Sequence, residues 1–136
     1  MPDIVVVPIG MVRSSLTDPR EAPRQPDEGA PRARIELTPE AAPAAADLRA
    51  GDRIVVLTWL DRADRATLRV RPRDDPEREE TGVFSTRSQA RPNPIGLHEV
   101  TVTAVDAGRI TVDALEAVDG TPVLDIKPVL TDVQQR

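Results

Sequence analysis

The 136-residue sequence has no cysteine, no tyrosine, one tryptophan, one phenylalanine, one histidine and one lysine. Each scarcity excludes something. Without cysteine there are no disulfides and no thiolate metal sites, and the redox compartment leaves no mark. His98, standing alone, cannot build a multi-histidine metal centre. It would also have to be the base of any hydrolase triad, and no nucleophile-elbow pattern accompanies it. Trp59 and Phe84 are the only aromatics, too few for the stacking platforms that hold single-stranded RNA. A formal net charge of −5 argues against tight nonspecific binding of nucleic acid by one copy of the chain. GxGxxG and Walker patterns are absent, as is strand–helix alternation, so a doubly wound nucleotide-binding fold is not expected.

The amino terminus, MPDIVVVPIG, carries no basic residue ahead of its apolar run and no small-residue cleavage site. It reads as a first strand rather than a signal peptide. No run approaches the length of a membrane span. The expectation is a soluble, cytoplasmic protein with no membrane and no metal partner.

What is present is mostly strand. The length suits one domain over residues 1–136, with enough chain for a single ordinary core. Residues 4–12 are apolar and β-branched, broken by Pro8 and Gly10, which suggests a kinked or edge strand. ARIEL at 33–37 alternates apolar and charged residues. RIVVLTWL at 53–60 is the most continuous apolar run and should be a central strand. TLRVR at 67–71 alternates again, with Leu68 and Val70 expected to face inwards. Residues 97–106 and 109–115 form a hairpin pattern around Ala107-Gly108, with Val100, Val102, Ala104, Ile110, Val112 and Ala114 on the apolar face. A short strand follows at 123–126. Thr38-Pro39-Glu40 reads as the cap of a short helix over 41–48 that Pro43 interrupts. The fold class expected is mainly β: a small, closed or nearly closed antiparallel β-barrel with few or no long helices.

The polar stretches carry the functional signal. Residues 82–97, GVFSTRSQARPNPIGL, combine Arg87, Arg91, a hydroxyl run and an Asn between two prolines. Pro92 and Pro94 fix their own φ and push Arg91 and Asn93 towards extended conformations. A polar loop stiffened in this way either presents groups to a ligand or is a rigid crossover between strands. Pro23-Arg24-Gln25-Pro26 repeats the device inside a long proline-rich loop at 13–31, a length that marks a functional or a disordered segment. Asp61-Arg62 and Asp64-Arg65 end the central strand, either as the rim of a site or as solvated ion pairs worth little.

These residues resemble the signature of the TsaA-like (TrmO) family. Besides GVFSTRSQARPNPIGL, four blocks match in order: PIGMVRS at 8–14, PRQP at 23–26, VLTWLDRADR at 56–65 and DGTPVLDIKP at 119–128. The resemblance implies a small β-barrel that binds S-adenosyl-L-methionine without a Rossmann sheet. It implies a homodimer with the cofactor near the subunit interface. The implied reaction is methylation of the exocyclic nitrogen of threonylcarbamoyladenosine beside the anticodon of tRNA. Carried over by position, the cofactor contacts are Pro23, Arg24, Gln25, Asp61, Arg62, Arg87, Leu97, Asp119, Gly120, Thr121 and Pro122. Arg91 and Asn93 are implied to face the methyl acceptor or to hold the loop, and Asp61 is the candidate for a base. The types suit the ligand: an arginine fork for a carboxylate, Asp119 and Gln25 for ribose hydroxyls and the adenine edge, Leu97 for an apolar ring face. Three departures bear on the acceptor. Gln89-Ala90 stands where the family has Pro-Phe, Leu60-Asp61 where it has a Phe-His-like pair, and the carboxy-terminal extension of longer bacterial members has no counterpart. The alternatives are N-methylation of a small metabolite by the same barrel and a non-catalytic binding module.

Overall fold

The structure is a computed structural model in which residues 2–18 and 29–130 are described. Pro23, Arg24 and Gln25 lie outside the described residues. Among the described residues eight strands follow in chain order: β1 (Gly10–Arg13), β2 (Ala33–Leu37), β3 (Arg53–Trp59), β4 (Arg69–Val70), β5 (Thr81–Gly82), β6 (Ile95–Asp106), β7 (Arg109–Val112) and β8 (Pro122–Pro128). Six of them close into an antiparallel barrel in the order β1-β2-β7-β6-β3-β8. β8 returns to β1 through Gly10↔Val123 and Met11↔Pro122. Closure leaves few strand edges to template unwanted pairing.

The period-2 pattern sets the interior. Val12, Ile35, Ile54, Val56, Val100 and Ile110 are fully or almost fully buried, each stabilising the fold by about 1.5–3 kcal/mol relative to exposure. Leu115 and Val123 complete the packing between them.

Local chemistry bends the expected pattern in four places. Residues 4–7 are exposed and belong to no strand; pairing begins only where Ile9 N–H reaches Val123 O at 2.8 Å, because Pro8 has no N–H to continue a ladder. Leu68 is exposed and Val70 only half-buried, since β4 pairs with β5 in a two-stranded ribbon apart from the barrel. Alternation fixes which face a residue takes, not which sheet it joins. The β6–β7 register slips between Val102 and Ala104, and this bulge turns Ala104 outward. The short helix expected over 41–48 contracts to a 3₁₀ turn, Ala42–Ala45, with Pro43 in its first turn.

The feature that positions the site is the stagger of β6. β3 pairs with it from Ile95 to Thr101, and β7 only from Val102 to Asp106. Beyond Val112 the chain leaves the sheet after one last clasp, in which Asp113 N–H donates to Thr101 O at 3.1 Å and Asp113 Oδ1 accepts from Thr101 N–H at 2.9 Å. Among the described residues, no strand pairs with the second edge of β6 over 95–100. Also among them, no helix is long and apolar enough to cross a membrane.

Candidate functional site

A cleft of about 630 Å³ opens along that edge. Ile95 to Glu99 of β6 form its floor; Arg87, Gln89 and Arg91 stand on one side, and Asp113, Ala114 and Glu116 on the other. A smaller annex of about 60 Å³ is lined by Asp61, Arg62, Ala63, Val118 and Thr121 among others. Leu60, Gln89 and Glu116 line both spaces.

The wall is stiff because a cation organises it. The Arg91 guanidinium donates to the carbonyls of Val83 at 3.1 Å, Thr86 at 3.1 Å and Ser88 at 2.9 Å. Its backbone N–H donates to Asp64 O at 3.0 Å. Arginine's planar fork holds such multiple contacts in a fixed geometry that a flexible lysine does not supply. The turn Val83–Ser85 buries Val83 and leaves Phe84 83% exposed. Asn93 Oδ1 accepts from Arg65 Nη2 at 3.1 Å, and Arg65 Nε donates to Pro92 O at 2.8 Å. Arg65 in turn lies over the Trp59 ring, 5.0 Å from its centroid, in cation–π contact. Asp64 accepts from Ala66 N–H at 2.7 Å and from the Thr67 hydroxyl at 3.0 Å; these two bonds, the backbone one foremost, hold its carboxyl below the ordinary value of 3.8. Arg91 therefore serves the loop's own framework while lining the cleft, and Asn93 serves that framework without lining either space.

Arg87 differs. It is exposed, lines the cleft, and its guanidinium has no hydrogen-bond or ion-pair partner shown among the described residues. Leu97, at an outward position of β6, offers the cleft an apolar surface. Asp61, Arg62 and Thr121 meet in the annex, where Arg62 Nη1 donates to Thr17 O at 3.4 Å. Asp119, Gly120 and Pro122 flank Thr121, but their contacts run towards β1. Asp119 Oδ1 accepts from Ser14 N–H at 3.1 Å, its N–H donates to Leu16 O at 2.6 Å, and Oδ2 lies 3.9 Å from Arg13 Nη1. Gly120 turns the chain at φ +86°, a conformation that favours glycine.

Three further residues were not singled out as part of a site by sequence reasoning. His98 and Thr58 sit at inward positions of β6 and β3. Thr58 Oγ1 lies 2.7 Å from His98 Nε2, and His98 Nδ1 lies 2.7 Å from Glu116 Oε1. A carboxylate only accepts, so Nδ1 donates to it; in the neutral imidazole Nε2 then accepts from the threonine hydroxyl. Glu116 is 7% exposed, and its Oε2 is buried with no hydrogen-bond partner among the described residues. Gly96, opposite Thr58 in the β3–β6 register, makes the arrangement possible. A Cβ there would fall 2.7 Å from His98 Nε2 and nearer still to Thr58 Oγ1. Part of this was legible in the sequence. Thr58 follows Ile54 and Val56 on one face, and His98 follows Gly96 on another. Glu116 lies in an irregular segment that carries no periodicity.

The sequence matches the tRNA-methyltransferase O N-terminal domain family over residues 11–135. The chain belongs to this family. It is 42% identical over 132 residues to a probable S-adenosyl-L-methionine-binding protein of Methanothermobacter thermautotrophicus, covering 96% of this chain and 93% of that one. It is 42% identical over 124 residues to an S-adenosyl-L-methionine-binding protein of Archaeoglobus fulgidus, covering 91% and 88%. A crystal structure of TrmO from P. aeruginosa superposes with a TM-score of 0.75 at 32% identity, covering all of this chain and 60% of that one. The chain thus spans about 60% of the solved TrmO chain and nearly the full length of the two archaeal relatives.

In this tRNA-methyltransferase O family domain the signature segment is the cleft wall, and its glycine is the floor beneath the Thr58–His98 contact. Among the described residues no group of three or more His, Cys, Asp or Glu side chains is placed to hold a metal. Gly96→Ala is expected to force Thr58 and His98 apart and to lower stability by about 1–3 kcal/mol in urea unfolding. It should also shift the ring nitrogen signals of His98 in NMR; unchanged ring signals would show that the close approach is not there.

Proposed function

We propose that this domain binds S-adenosyl-L-methionine in the cleft beside β6 and catalyses methyl transfer to the exocyclic nitrogen of threonylcarbamoyladenosine in tRNA. The observation that carries the reading is the cleft itself, walled by the family signature. Its size lies within the range that accommodates a drug-sized ligand, and it combines apolar and cationic lining. Relatives of nearly the same length are named for binding this compound.

The residues fit the group. Arg87, without a partner among the described residues, would take the methionine carboxylate in a two-pronged contact. Leu97 and Ile95 would face the adenine. Asp61, Arg62 and Thr121 of the annex would supply polar contacts to ribose or base edge. The bound compound supplies a methyl group already activated by its sulfonium. The protein's task is then to hold the accepting nitrogen in line, and alignment of this kind lowers a barrier by up to about 7–11 kcal/mol. A wall held by Arg91 suits that task, since little of it has to be ordered on binding.

The acceptor has a second reading, a small metabolite. A rim of free arginines would favour tRNA, yet several of these side chains are engaged within the chain. Arg13 pairs with Glu36 and Asp119, Arg69 with Glu80, and Arg65 and Arg91 hold the loop. With a net charge of −5, one copy offers few uncommitted cations to a polyanion. A homodimer would gather two sets. Ile4, Val5 and Val7 are exposed large apolar side chains, as is Phe84 beside the cleft wall; a second copy would cover such surface. Acting on tRNA, the protein would work in the cytoplasm.

Three measurements test this reading. Arg87→Ala should weaken S-adenosyl-L-methionine binding at least about tenfold by calorimetry, as expected for loss of a charge-assisted contact; unchanged affinity contradicts the assignment. Nucleoside mass spectrometry of tRNA from a deletion strain should show loss of the methylated threonylcarbamoyl nucleoside and its return on complementation. If the nucleoside persists, the small-metabolite reading takes its place. Sedimentation should give the mass of a dimer, and a monomer at micromolar concentration would remove the paired-copy element.

A further inference from the structure

Resting on the methyltransferase reading, we propose that Glu116 is a catalytic residue. Its Oε2 accepts the hydrogen bond, and then the proton, of the N–H that becomes methylated. His98 and Thr58 are positioning residues that act through it.

The carboxylate is half-satisfied. Oε1 is bonded to His98, while Oε2 is buried and has no partner among the described residues. Leaving a buried acceptor unmatched is costly, and more so when it is charged. Such a group is explained by a partner that arrives with a ligand. Its position agrees. Of the three residues that line both cleft and annex, Leu60, Gln89 and Glu116, only Glu116 can take a proton.

The other acids along the two spaces are less suited. Glu99 pairs with Arg53 at 3.6 Å. Asp113 is committed to the backbone N–H of Thr101. Asp61, the candidate from the sequence, is exposed, and no side chain among the described residues is shown orienting its carboxylate. Glu116 is held by a chain of two 2.7 Å contacts running through His98 to Thr58. Gly96 leaves the room for that chain to close. This is how a base is kept in one rotamer.

The chemistry requires such an acceptor. As the nitrogen–carbon bond forms, the sulfur–carbon bond breaks and its electron pair remains on sulfur. The nitrogen then carries one proton too many. A nitrogen of ureido type also has a delocalised lone pair, so drawing its proton towards a carboxylate raises its nucleophilicity as the bond forms. The proton ends on Oε2. Oε1 keeps accepting from His98 Nδ1–H, so the positioning contacts survive the turnover, and the proton passes to water when product release and local opening uncover Oε2.

The test uses the full chain with S-adenosyl-L-methionine and an anticodon stem-loop carrying threonylcarbamoyladenosine. Glu116→Gln keeps the shape and the His98 contact. It should melt like the wild type and bind S-adenosyl-L-methionine within about twofold, with KM for the stem-loop little changed and kcat down about 10²–10⁴-fold. Glu116→Asp, which keeps the acid but draws it back, should lose at least about tenfold in kcat. A second readout needs no turnover. His98 is the sole histidine, so its ring nitrogens are assigned without mutagenesis. Adding the stem-loop to protein loaded with S-adenosylhomocysteine should move the Nδ1 signal in the wild type and much less in Glu116→Gln. Wild-type kcat in Glu116→Gln or Glu116→Asp, or an Nδ1 signal that ignores the stem-loop, overturns this inference alone. A wild type that binds no S-adenosyl-L-methionine overturns the proposed function and this inference with it.

Discussion

Strand β6 is handed from one neighbour to the other. β3 holds its first half and β7 its second. A closed sheet needs a stagger between strands, and here much of it is taken up at one place, where the chain after Val112 peels away from Thr101. The same departure that ends β7 carries Leu115 into the core and brings Glu116 opposite the open edge. The cleft is therefore a by-product of how the ring closes rather than a hollow carved into it.

A chain with so few aromatics cannot stiffen its loops by burying rings. It uses cations and prolines instead. Arg91 gathers three carbonyls and Arg65 joins Trp59 to the Pro92–Asn93 corner, while the two prolines remove backbone freedom on either side of Asn93. Arginine serves as scaffolding here, and of the arginines in this wall Arg87 is the one with no partner shown among the described residues. Inside the barrel the logic reverses. The apolar lining gives way at one end to Thr58, His98 and Glu116, a polar chain that tolerates burial because all but one of its polar side-chain atoms are matched.

Much of the barrel was legible in the sequence, because period-2 alternation over β2, β3, β6 and β7 states which side chains meet in the middle. The misses have physical causes. Leu68 and Val70 alternate correctly but lie in a ribbon outside the ring. Ala104 is displaced by a bulge that leaves no trace in composition. The apolar run at 4–7 carries the right residues, but the missing donor at Pro8 stops the ladder. Of the site, the proline-flanked loop announced itself, and Arg87 and Leu97 came with it. The loop-holding work of Arg91 was one of two readings open there, since an arginine bonded to carbonyls looks in sequence like one awaiting a ligand. The His98–Glu116 contact joins residues 18 positions apart and the Thr58 contact residues 40 apart. Nothing local in either segment foretells them.

Gly96 adds nothing to the cleft except room. Since even one methyl there would collide with two side chains, the acceptable alphabet at this position has a single letter as long as Thr58 and His98 stay. A lineage that replaced the imidazole alone would still meet the Thr58 hydroxyl, which lies closer, so the restriction lifts only when both side chains shrink. Gly96, Thr58 and His98 are thus expected to drift as a trio, and relatives that lost both the ring and the hydroxyl should be the ones in which the glycine is free to change.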